Sequence, residues 1–108
     1  MATATPSVIS RFKLLCPIAN PSGQEDAIRV YIAEQLQAVG IQTCEVDAGG
    51  NLLARVPGDS SKPVIMLSAH MDSVPPCEGI VPVDAIELDT GRAIIRSEGK
   101  TILGADDK

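Results

Sequence analysis

Val64-Ile65-Met66-Leu67 is an unbroken apolar run that leads directly into Ser68-Ala69-His70-Met71-Asp72. Alternate side chains of a strand point to opposite faces, so a run that is apolar at every position suits a strand covered on both sides. Such strands belong to α/β sheets, which keep their sites just beyond the carboxyl ends of the strands. The chain's single histidine and a nearby carboxylate therefore stand where chemistry is expected.

The surrounding pattern agrees with this α/β class. Thr5-Pro6 offers a cap followed by proline at a first helical position, and Val8, Phe12 and Leu15 recur at helical spacing, which predicts a short helix ending near Pro17. Ser22-Gly23-Gln24-Glu25 matches a capping box, in which serine and glutamate satisfy each other's backbone amides at a helix start. A second helix follows, with an apolar stripe of Ile28, Tyr31, Ile32, Leu36 and Val39 and with Gly40 placed to close it in the left-handed conformation. Residues 41–46 and 51–56 flank Asp47-Ala48-Gly49-Gly50 and read as an antiparallel hairpin. Residues 85–88 and 93–96 flank Asp89-Thr90-Gly91-Arg92 and read as another, and residues 101–103 as a last short strand. Two helices followed by a mixed sheet with hairpins are thus expected. No internal repeat or long linker divides residues 1–108 into two domains.

Composition narrows the function classes. The 108 residues are 44% hydrophobic with charges of both signs, as in an ordered globular chain. A net charge of -5 and only two aromatic residues, Phe12 and Tyr31, argue against nucleic acid as a partner, which would want a basic surface and stacking platforms. Nothing resembles a signal peptide and no run of about 18 apolar residues occurs, so a cytoplasmic protein with no membrane partner is the expectation. Cys16, Cys44 and Cys77 are odd in number and widely spaced, which fits reduced thiols better than a disulfide framework or a zinc ribbon.

Two segments carry potential chemistry. In the first, a histidine that binds metal through one ring nitrogen normally passes its other proton to an acceptor, and Asp72 is placed to be that acceptor if the strand persists beyond His70. Taken alone, His70-x-Asp72 reads more readily as a hydrogen-bonded strand end with no metal. The second is Gly104-Ala105-Asp106-Asp107-Lys108, where acids follow a strand and small residues permit close backbone approach. By itself it is equally a solvated turn. The pair is more telling, because two strand ends, each followed by potential ligands, can lie together in one sheet.

Read together, Ser68-Ala69-His70-Met71-Asp72-Ser73-Val74-Pro75 and Thr101-Ile102-Leu103-Gly104-Ala105-Asp106-Asp107-Lys108 resemble the two successive metal motifs of the dinuclear zinc peptidase family of peptidase T and carboxypeptidase G, and Pro21-Ser22-Gly23-Gln24-Glu25 resembles its second-helix entry. The resemblance covers nearly the whole chain. It implies the N-terminal part of a zinc-exopeptidase catalytic domain, with His70 as a ligand of one zinc, Asp106 bridging two, and Asp72 orienting His70 as a catalytic-site residue. It also implies a cis peptide after Asp106, a short peptide as substrate and a homodimer at full length. Cobalt or manganese can replace zinc at such sites. The family's general base, its remaining ligands and its dimerisation domain would lie beyond Lys108, so the 108 residues alone are expected to be inactive. A carboxypeptidase, an amino-acid deacylase, a non-catalytic binding or assembly module and a metal-free α/β domain are the alternatives.

Overall fold

A computed structural model describes residues 7–104. Helix α1 spans Val8–Leu15 and is capped by Ser7, whose Oγ accepts the Ser10 amide at 3.1 Å. The helix therefore starts two residues later than a Thr5 cap would place it. Helix α2 spans Asp26–Ala38. It closes as its sequence predicts: Gly40, at φ +93°, donates to the Gln37 carbonyl at 2.9 Å, and the Ile41 amide donates to Leu36 at 3.0 Å. These two bonds make a Schellman ending, and the positive φ is why glycine is needed there.

Both hairpins form. Strands β1, Thr43–Val46, and β2, Leu52–Arg55, pair antiparallel from Thr43 opposite Arg55 to Val46 opposite Leu52. Their turn is organised by Asp47, whose carboxylate accepts the amides of Gly49 and Asn51, both at 2.9 Å. Arg29 of α2 joins the helix to this turn by donating its Nε proton to the Gly50 carbonyl at 2.8 Å. Strands β3, Pro82–Ile86, and β4, Ala93–Ser97, pair from Pro82 opposite Ser97 to Ile86 opposite Ala93. The α/β class with two helices and hairpins is as expected, but the hairpins stand as two separate two-stranded sheets.

The apolar run at residues 64–67 departs from expectation. It forms no ladder among the described residues, and its side chains are 88%, 86%, 79% and 92% exposed. Residues 101–103 likewise form no strand. The physical difference lies in the distance over which pairing must act. Each hairpin closes through a short turn at small entropic cost, whereas a strand buried on both faces needs neighbours far away in the chain. The pattern records compatibility with burial and does not itself supply the neighbours.

Burial is accordingly concentrated in one small region. Cys16, Cys77 and Ile80 are buried together, with Phe12, Leu15 and Leu103 packed around them. This cluster joins the end of α1, the loop before β3 and the approach to Gly104. Ile28 is buried on α2, while Tyr31, Ile32 and Leu36 of the same stripe are half-buried and Val39 is exposed. The radius of gyration, 16.3 Å, exceeds the roughly 13 Å of a compact chain of about this size.

Candidate functional site

His70 lies at the end of the extended segment that begins with the apolar run, and half of its side chain is exposed. Its Nδ1 is 2.9 Å from the Asp72 carbonyl oxygen and 3.0 Å from Asp72 Oδ1. Both oxygens are acceptors, so Nδ1 must carry the proton, and in the neutral ring the lone pair then falls on Nε2. This is the tautomer a metal-binding histidine adopts when a carboxylate supports it from behind.

Asp72 is itself held at both oxygens. Oδ1 faces His70, and Oδ2 accepts a hydrogen bond from the Ser22 hydroxyl. The Ser22 bond is the main reason that the Asp72 carboxyl lies below the usual carboxylate range, with His70 adding to it and partial burial opposing both. Hydrogen bonds donated to it favour the ionised form, the form able to accept the imidazole N–H.

The same turn between α1 and α2 also grips the backbone on either side of Asp72. Asn20 is 1% exposed; its side-chain amide donates to the Met71 carbonyl at 2.5 Å, and its own carbonyl accepts the Ser73 amide at 2.9 Å. Pro21 and Ser73 form an isolated parallel bridge at this point. Buried polar groups need partners, and Asn20 meets that need by fastening two peptide units of the His70 segment.

Ser73, 6% exposed, extends the connection to the second motif by donating its hydroxyl to the Gly104 carbonyl at 2.8 Å. Gly104 has φ +68°, and a Cβ there would lie 2.6 Å from Ser73 Oγ. The two tracts separated in sequence thus meet backbone to side chain, with glycine required by both conformation and space. Asp106 and the Asp106-Asp107 peptide lie outside the described residues.

The structure brings His70 and Asp72 into hydrogen-bond contact. The expected capping box does not form. Ser22 is turned to Asp72, α2 begins after Glu25 without a side-chain cap, and Glu25 Oε1 accepts the Gly23 amide at 2.8 Å. The spacing of Ser22 and Glu25 announced a turn before a helix but could not reveal that the serine has an acceptor elsewhere in the chain. Asn20 and Ser73 were missed for the same reason, since neither local pattern hints at a long-range partner.

Among the described residues no group of three or more His, Cys, Asp or Glu is arranged around a common metal position. What is present nonetheless suits a metal: an imidazole with Nδ1 committed to a carboxylate is the donor chemistry of a supported ligand. No helix is long and apolar enough to cross a membrane among these residues.

Comparison with known proteins adds the family. The chain is 31% identical over 122 aligned residues to Peptidase T of Geobacillus kaustophilus, covering 86% of this chain and 29% of that protein. It is 33% identical over 93 residues to a Pyrococcus abyssi protein provisionally named a LysW-lysine/LysW-ornithine hydrolase, covering 84% of this chain and 26% of that one. An uncharacterised Bacillus subtilis protein, YqjE, is 29% identical over 108 residues, with 94% and 28% covered. No family model and no solved structure matches. The chain spans less than a third of the length of these relatives. Two of these relatives are named as a peptidase and a hydrolase, and the present chain is an α/β segment. More narrowly, the chain belongs to the peptidase T-like family.

Proposed function

We propose that this chain is the His70-bearing part of a metal-dependent exopeptidase that hydrolyses short peptides as an aminopeptidase through a water activated between two zinc ions. The observation that carries this reading is the His70 ring, with its Nδ1 proton held by Asp72, in a chain related to Peptidase T. When bound, a zinc pair lowers the pKa of a bridging water and polarises the scissile carbonyl.

The chain's own residues have distinct tasks in that chemistry. His70 and Asp106 are the residues of this chain that would hold the metal. Asp72 would act from behind His70, fixing the tautomer and direction of its ring as a positioning residue. Ser73 and Gly104 fasten the segment that carries His70 to the one that carries Asp106. A catalytic zinc usually takes three protein ligands, so the 108 residues alone are expected neither to hold zinc tightly nor to cleave peptides. A cytoplasmic homodimer goes with this reading, and cobalt or manganese can serve in place of zinc. The Pyrococcus abyssi relative favours a second reading within the same chemistry, hydrolysis of a conjugated amino acid or a related deacylase or carboxypeptidase reaction.

The natural protein, stripped of metal and supplied in turn with zinc, cobalt and manganese, should recover hydrolysis of tripeptides, and His70→Ala should remove it. Tripeptide cleavage that is indifferent to chelation and to His70→Ala would overturn the assignment. Metal-dependent cleavage of acylated amino acids in preference to tripeptides would select the second reading.

A further inference from the structure

The turn between α1 and α2 does more than join two helices. Within three residues it supplies Asn20 and Ser22, which hold three consecutive residues of the His70 segment: Met71 through its carbonyl, Asp72 through Oδ2 and Ser73 through its amide. Ser22 forms no capping box, and α2 begins without a side-chain cap.

We propose that Ser22 is a positioning residue for His70, acting through Asp72. The inference rests on the metal-site reading above for its purpose, but its geometry is independent of metal. A carboxylate bonded only to the imidazole can rotate about its Cβ–Cγ bond and present either oxygen. With Ser22 on Oδ2, rotation breaks a second bond, so Oδ1 stays directed at Nδ1. Asn20 meanwhile prevents the backbone at Met71 and Ser73 from following such a rotation. Ser22 therefore sets how firmly the ring is kept in the Nδ1–H tautomer with Nε2 in a constant direction. Its hydroxyl is on the exposed side of the site, where water competes, which places the expected effect at the lower end of the roughly 10- to 100-fold range for residues that support metal ligands from behind.

The test uses the natural protein and its Ser22→Ala and Ser22→Thr variants. In the metal-free state, at a pH where imidazole is neutral, nitrogen-15 NMR of His70, assigned by comparison with His70→Gln, should show less of the Nδ1–H tautomer in Ser22→Ala. Ser22→Thr, which keeps the hydroxyl, should restore it. Zinc affinity measured by competition with a chelator should fall about tenfold in Ser22→Ala and recover in Ser22→Thr. Unchanged His70 resonances in Ser22→Ala would overturn the proposal, whatever the zinc affinity does. If His70 responds to Ser22 but the unaltered protein binds no zinc, the positioning role stands and the metal reading falls.

Discussion

Replacing Gly104 by alanine tests the junction between the two motif-bearing segments. At φ +68° a Cβ meets the left-handed penalty of about 1–2 kcal/mol. It would also sit 2.6 Å from Ser73 Oγ and 3.1 Å from Ser73 Cβ, the first well inside contact distance. Ser73 is buried and its hydroxyl is bonded to the Gly104 carbonyl, so it cannot swing away without leaving that carbonyl. Losing the bond adds about 0.5–1.5 kcal/mol, for a total of roughly 1.5–3.5 kcal/mol. Urea unfolding of the natural protein, followed by circular dichroism, should show this loss as a lower midpoint at unchanged slope. Ser73→Ala should cost about 1 kcal/mol alone. The double variant should cost less than the sum, because removing Oγ removes both the nearest clash and the bond that the clash breaks. A cost of Gly104→Ala below about 0.5 kcal/mol, or strict additivity with Ser73→Ala, would refute the reasoning.

Further outcomes follow from the same contacts. Asn20→Ala should cost about 1–3 kcal/mol in urea unfolding, because the Met71 carbonyl loses a buried donor, and zinc retention should fall with it. Asp47 is held below its ordinary value of 3.8, first by the Asn51 side chain and then by backbone amides. Because its folded value is depressed, its contribution to the β1–β2 turn is complete above the ordinary value and lost as pH falls through the folded one. An NMR titration should place its midpoint below 3.8, and Asp47→Asn should remove that step from the acid-unfolding profile. Lys13→Ala should change stability by no more than about 1 kcal/mol, with the difference shrinking in salt, because the Lys13–Asp84 pair at 2.8 Å lies at the surface.

The parts of this protein legible in its sequence are those decided within a few residues. The ending of α2 at Gly40 follows from a backbone conformation that glycine adopts without penalty. Both hairpins follow from short turns between β-favouring stretches, and the Asp47 turn is built from neighbours in the chain. His70 and Asp72 are two residues apart, so their pairing was legible as well, together with the resemblance that gave it meaning.

Tertiary structure decided what required a choice between partners. Ser22 had a local partner in the backbone amides at the start of α2, from which its oxygen could accept, and a distant acceptor fifty residues away, and in the folded chain it bonds to Asp72. Nothing in residues 20–25 carries the position of residue 72, so no local pattern could reveal that choice. The meeting of Ser73 with Gly104 is of the same kind, because a glycine before an acidic pair shows freedom of conformation but not which side chain forbids a Cβ. The apolar run at residues 64–67 shows the converse. Its side chains determine that the strand can be buried on both faces, but burial is a property of the surroundings, and those are fixed only by neighbouring strands and helices.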